Sequence, residues 1–293
     1  MIRRWSSPAY VWPCIGIEAA RALQAFAARV IEVNRFWGAT VNRWTCATLV
    51  VMASVLSCSS ASNATGPLAG GTRVLFIGNS LTYVNDLPRT LSALALTTGD
   101  TIVTSTVAFP DFALVDHVKE GSAVRAIKSG AWQFVVLQQG PSSVQVNRDS
   151  LIAMTRLFDT YITQAGARAA LFSVWPQTIN YATFPRAIES YQLAASAVNG
   201  LYLPVGAAWQ TALAQDQTLP LYSVDGLHPT ELGTYLAALV MYERFTGKDA
   251  RRLSSLMVVA GRVVPGVSES TVRKLQDIAH STNALTVSGQ PDS

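Results

Sequence analysis

Residues Arg73 to Pro88 read RVLFIGNSLTYVNDLP. Val74, Leu75, Phe76 and Ile77 form an unbroken apolar run of strand length, the pattern of a strand buried on both faces of a parallel sheet. A turn must follow, and Gly78 and Asn79 suit it. Ser80 then falls at the carboxyl end of the strand, ahead of a helical pattern, at the edge where open α/β sheets bind ligands. A serine so placed has two readings: a helix N-cap, or a nucleophilic hydroxyl surrounded by backbone N–H groups.

Outward from this stretch the chain alternates between strand and helix patterns. Candidate strands are 74–77, 102–108, 134–138, 169–173 and 201–205, with helical patterns near 87–98, 113–129, 150–165 and 184–199. Five short strands separated by helices predict βαβ units in a three-layered α/β fold with a mainly parallel five-stranded sheet. Helical patterns at 231–246 and 269–282 close the chain, and residues 284–293 read as a frayed tail. No internal repeat or second folded domain is visible, so one domain is expected over 72–283.

Hydrophobic residues make up 49% of the 293, which excludes a disordered chain. The net charge of +4 comes entirely from six arginines and two glutamates before Cys46; the rest carries sixteen charges of each sign. The folded part therefore has no basic surplus to suggest a nucleic-acid partner. The three cysteines, Cys14, Cys46 and Cys58, all precede the folded domain. Neither a disulfide framework nor a cysteine metal site is expected within it. Gly78-Asn79-Ser80 is not a phosphate loop, because the GxGxxG and GKS/T patterns are both missing.

Residues 44–60 read WTCATLVVMASVLSCSS, a short apolar core behind Arg43. Val55-Leu56-Ser57-Cys58 resembles the lipobox of bacterial lipoprotein signal peptides, whose cysteine becomes the lipidated N-terminus. The resemblance implies a signal peptide over 43–57, lipidation at Cys58, a tether over 58–71 and a cell-envelope location on the membrane. Residues 1–42 then read as an upstream extension, and a leader starting at Val41 would have ordinary proportions.

A second informative stretch, Tyr222 to Gly233, reads YSVDGLHPTELG. Asp225 and His228 lie three apart on a turn made by Gly226 and ended by Pro229. This spacing suits a carboxylate that accepts from one imidazole nitrogen while the other faces outward, and it equally suits an ordinary Asp-Gly turn. Asp111, Asp116 and His117 are metal-ligand residue types, but their place between loop and helix reads as a cap and surface contacts. His280 reads as a surface residue of the last helix.

GNSLT at 78–82 together with DGLHP at 225–229 resembles the SGNH (GDSL-like) hydrolases, serine esterases of flavodoxin-like α/β/α fold. The resemblance covers about residues 72–247. It implies a nucleophile at Ser80, a general base at His228 and an orienting acid at Asp225, with no metal or organic cofactor. It also implies oxyanion donors. The first is the N–H of Ser80. The second, a glycine N–H in the family, falls in VAFPDFALVDH, which has no glycine; Pro110 has no N–H, so Asp111, or else Phe112, is expected to donate. The third, an asparagine side chain in the family, falls in VVLQQGPSS, where Gln139 is the first candidate and Gln138 the second. Tyr83 and Trp175 are candidate pocket residues, and for Trp175 a plain packing role is the first reading and the pocket the second. The expected activity is hydrolysis of carboxylic esters through an acyl-serine, on a small-molecule or carbohydrate ester, with acetyl as first choice. The alternatives are a lipid acylhydrolase and a non-catalytic binding module that keeps the fold.

Overall fold

The computed structural model describes residues 70–288; the extension, the leader and Cys58 lie outside the described residues. Five strands, β1 (Thr72–Gly78), β2 (Ile102–Ala108), β3 (Phe134–Leu137), β4 (Arg168–Phe172) and β5 (Leu201–Leu203), form one sheet in the order β2-β1-β3-β4-β5. Every pairing in it is parallel. Val74 to Ile77, central in the sheet, are buried on both faces, which is why their sequence shows no alternation.

The helices are α1 (Ser80–Tyr83), α2 (Leu87–Leu96), α3 (Leu114–Glu120), α4 (Ser122–Ser129), α5 (Gln145–Gln164), α6 (Phe184–Ser196), α7 (Val205–Gln215), α8 (Glu231–Thr246) and α9 (Glu269–Ser288). Helices α2, α7, α8 and α9 pack together on one face, while α3 to α6 connect successive strands across the other. Helix α8 is buried from Leu232 to Tyr242, because α2, α7 and α9 all cover it. No helix among the described residues is long and apolar enough to cross a membrane.

Five local expectations change. The pattern at 113–129 is two helices, split at Gly121, whose φ of 87° lies in the left-handed region that glycine enters without penalty. The helix expected from 150 begins at Gln145, and α7 occupies a stretch in which no helix was expected. The tail expected to fray from 284 is helical through Ser288, and Asn283 donates to the Val240 carbonyl and to Glu243, holding α9 on α8. Lastly, a small antiparallel hairpin, β6 (Val258–Val259) and β7 (Arg262–Val263), docks on α2 through a bond from Ala260 N to Thr90 Oγ1. Strands of two residues carry no readable period.

The strand order has a direct consequence for the site. The chain reverses direction across the sheet between β1 and β3, the switch point beyond whose carboxyl ends open α/β sheets bind ligands. Register aligns the three strand ends there: Ile77 pairs with Leu137 and Gly78 with Ala108.

Candidate active site

Ser80 is the first residue of α1, and the cap is its neighbour. Asn79 Oδ1 accepts from Leu81 N at 3.1 Å, so the N-cap role open to Ser80 belongs to Asn79. Within the described residues the Ser80 hydroxyl makes no hydrogen bond, and neither does its N–H. The flanking N–H groups are both engaged: Asn79 N donates to Gln138 Oε1 at 2.8 Å and Leu81 N to Asn79. The turn thus leaves one peptide N–H and one hydroxyl, both from Ser80, available at the crevice.

Asp225 and His228 form a pair. His228 Nδ1 lies 2.5 Å from Asp225 Oδ2, while Asp225 Oδ1 accepts from Ser223 Oγ at 2.7 Å and from the N–H groups of Leu227 and His228, each at 2.9 Å. These donors, His228 first, hold the Asp225 carboxyl well below the usual carboxylate range. The pair remains accessible, with 48% of the Asp225 side chain and 32% of that of His228 exposed. The His228 loop is tied to the serine turn by Asn85, whose Nδ2 donates to Pro229 O and Thr234 Oγ1 at 3.0 Å each. Asn85 adopts a left-handed φ of 54°, tolerated by asparagine, and so turns the chain back towards α8 immediately after α1.

Trp175 is a correction to the pocket expectation. It is 1% exposed and stacks on Trp209 with ring centroids 3.5 Å apart, so it cannot line an open pocket. Its Nε1 donates to Leu227 O at 2.9 Å, supporting the loop immediately before His228. Tyr83 is 39% exposed at the end of α1 and remains available to the crevice.

The loop after β2 carries Asp111 with φ of 60°, a left-handed backbone at the place where the family resemblance implies a glycine. Aspartate tolerates that conformation better than most residues. Its N–H makes no hydrogen bond within the described residues, whereas Phe112 N bonds Phe109 O at 3.4 Å. Between the two alternatives for a second donor, Asp111 is therefore the free one.

The glutamines exchange places relative to expectation. Gln139 Nε2 donates to Ser142 Oγ at 2.9 Å and Asn147 O at 3.4 Å, and its Oε1 accepts from Leu114 N at 3.1 Å. Its carboxamide joins α3 to the loop before α5. Tyr191 fixes its backbone, accepting from Gln139 N at 3.0 Å and donating to Gln139 O at 2.6 Å. Gln138 is the glutamine that meets the serine turn, and strand alternation, which sends neighbours to opposite faces, is the reason only one of them can.

His117 is also corrected, from a surface contact to a fully buried residue. Leu114 and His117, three apart on α3, share its inward face. His117 Nε2 lies 2.8 Å from Gly78 O and Nδ1 has no partner, so the neutral Nε2–H tautomer fits, and burial holds its pKa below the ordinary value. Asp116 does cap, accepting from Ala113 N at 3.0 Å. His280, 33% exposed, bonds Glu243 at 3.1 Å and is no free surface group.

A serine turn after the first strand, at the switch point of a wholly parallel α/β sheet, with an Asp-His pair just before the last sheet-covering helix, is the arrangement expected of a GDSL-like α/β/α fold. No protein-family profile and no curated protein matches the sequence. Among solved structures, the chain is similar to a candidate SGNH hydrolase from Slackia heliotrinireducens, with 26% identity and a TM-score of 0.52 over 59% of this chain and 98% of that one. It is similar in fold to a DUF4886 family protein from Bacteroides uniformis, with 18% identity and a TM-score of 0.63 over 76% of this chain and 97% of that one. The chain has the SGNH hydrolase fold.

Proposed function

We propose that the protein is a serine esterase that cleaves carboxylic esters through an acyl-Ser80 intermediate. The observation that carries this reading is the division of labour at the turn: Asn79 caps α1, and Ser80 keeps a free hydroxyl and a free N–H. In the first half-reaction His228 Nε2 takes the Ser80 proton as Oγ attacks the ester carbonyl. Asp225, on Nδ1, holds the imidazole in the tautomer that can accept and stabilises the imidazolium. The N–H groups of Ser80 and Asp111 stabilise the oxyanion. The protonated His228 gives its proton to the leaving alcohol, and water then releases the acid by the same steps in reverse.

A short acyl group on a carbohydrate is the first choice of substrate; it rests on the sequence likeness of the Gln139-Gly140 pair to carbohydrate-acetylesterase branches of the family, and not on the Gln139 carboxamide, which is held by Ser142, Asn147 and Leu114 away from the serine turn. One observation favours a larger apolar substrate, as in a lipid acylhydrolase. A cavity of about 440 Å³ lined by Thr178, Tyr181, Leu213, Gln217, Leu219, Pro220 and Tyr222 adjoins the His228 loop, to which Thr178 N bonds through Gly226 O at 2.8 Å. The export reading also stands as a proposal: a lipid anchor at Cys58 would hold the enzyme at the cell envelope, and Cys58→Ser would then release it from the membrane fraction.

Labelling by a fluorophosphonate probe tests the chemistry. Labelling lost in Ser80→Ala supports the esterase, and no labelling of the wild type favours a binding module that only keeps the fold. A panel of nitrophenyl acetate, butyrate and octanoate, alongside a peracetylated sugar, separates the substrate readings.

A further inference from the structure

Gln138 is fully buried, and every hydrogen-bonding capacity of its carboxamide is used at the crevice end of the sheet. Oε1 accepts from Asn79 N and from Thr82 Oγ1, both at 2.8 Å. Nε2 donates to Asn79 Oδ1 at 2.9 Å and to Gln139 O at 2.6 Å. Asn79 extends the chain of bonds: Oδ1 also accepts from Leu81 N, and Nδ2 donates to Phe112 O at 3.1 Å. One continuous carboxamide network therefore spans the carboxyl ends of β3, β1 and β2. It fastens the peptide groups on both sides of Ser80 and reaches the residue that follows Asp111.

Gly78 belongs to the same arrangement. A Cβ there would lie 2.3 Å from Gln138 Oε1 and 2.4 Å from Thr82 Oγ1, so only glycine lets the carboxamide approach the turn this closely.

We propose that Asn79 and Gln138 form a carboxamide couple that positions the Ser80 hydroxyl and N–H relative to the loop carrying the Asp111 N–H. They act through those groups without touching substrate. The inference rests on the esterase reading above and goes further, because it assigns a role to two residues outside the Ser-His-Asp set. Gln138 is the natural pivot: among the described residues it is the single side chain that bonds both the backbone and the side chain of Asn79. Alignment of nucleophile and oxyanion donors is needed in the transition state and adds little to ground-state binding.

The test uses Gln138→Ala and Gln138→Glu in the full chain, with nitrophenyl acetate between pH 5 and 8. A misplacement of about 1 Å costs on the order of a hundredfold. Gln138→Ala is expected to lower kcat by about that factor, with KM changed less than threefold. Glutamate separates positioning from packing. As a neutral acid it accepts from Asn79 N and donates to Asn79 Oδ1, as glutamine does; once ionised it faces Oδ1 and Gln139 O with no proton to give. Burial raises a carboxyl pKa, which brings this titration into the assay window. The kcat of Gln138→Glu relative to wild type is therefore expected to be highest at pH 5 and to fall towards the alanine level by pH 8.

A Gln138→Glu to wild-type ratio that stays flat with pH overturns the proposal, as does a folded Gln138→Ala with kcat within twofold of wild type. If the alanine variant does not fold, the glutamate ratio still decides. A Ser80→Ala enzyme with wild-type turnover overturns the esterase reading itself, and is distinguished from failure of the couple by an inactive Ser80→Ala beside unaffected Gln138 variants.

Discussion

Replacing Asp225 by asparagine tests the Asp225–His228 pair through the imidazole tautomer. Three donors converge on Asp225 Oδ1, two of them backbone N–H groups that cannot rotate away. An asparagine must therefore keep its oxygen at that position and turn its NH₂ towards His228 Nδ1. Nδ1 then becomes an acceptor, the ring proton moves to Nε2, and Nε2 can no longer take the Ser80 proton. In a serine protease triad the same change lowers kcat by about 10⁴, or roughly 5 kcal/mol in barrier. The pair here is partly open to water, with 48% and 32% of the two side chains exposed. Water can offer the ring other partners, so a loss of about 10³ in kcat is expected. Asp225→Ala removes the acceptor without forcing the tautomer and is expected to cost about ten times less than Asp225→Asn. Steady-state kinetics on nitrophenyl acetate, with thermal melts and nitrogen NMR of the His228 ring, measure all three quantities. An Asp225→Asn enzyme no worse than Asp225→Ala, or with the ring proton still on Nδ1, would refute the reasoning.

Trp175→Phe keeps a ring against Trp209 but leaves the Leu227 carbonyl without its donor; a loss of about 1–3 kcal/mol by urea unfolding is expected, with kcat reduced more than KM rises. Unchanged stability and kcat would show that the bond does not support the His228 loop. Burial depresses the His117 pKa below 6.5, so its contribution is complete above pH 6.5 and is lost as pH falls through its lower folded value. Gln in its place can still donate to Gly78 O but does not titrate, so the Tm of His117→Gln should fall less than that of wild type between pH 7 and 4; parallel curves would contradict this. Asp216, bonded to Lys274 on α9 at 2.8 Å, titrates at about 2 instead of 3.8. Its stabilisation is present above pH 3.8 and is lost as pH falls through about 2, so the Tm gap between wild type and Asp216→Asn should close over that range.

Much of the fold is legible in local pattern. Val74 to Ile77 form an apolar run because a central parallel strand is buried on both faces, and the alternation of such runs with helical periods implies βαβ units. Asp225 and His228 are equally legible, since a bond between residues three apart depends on one turn. Asn79 was within reach as well, because asparagine before a short helix is a strong cap.

What lay beyond the sequence depends on contacts between distant segments. The bonds from Gln138 to Asn79 cross 59 positions, and that from Trp175 to Leu227 crosses 52. Which of two adjacent glutamines meets the serine turn depends on which face of the sheet each takes at the end of β3, and on β3 lying beside β1 in the β2-β1-β3 order. His117 reads as a polar surface residue until α3 is laid against β1 and turns it inward onto Gly78 O. Local propensity and spacing are properties of one segment, and they specify the turns; the strand order, decided only when the whole core closes, determines which side chains those turns meet.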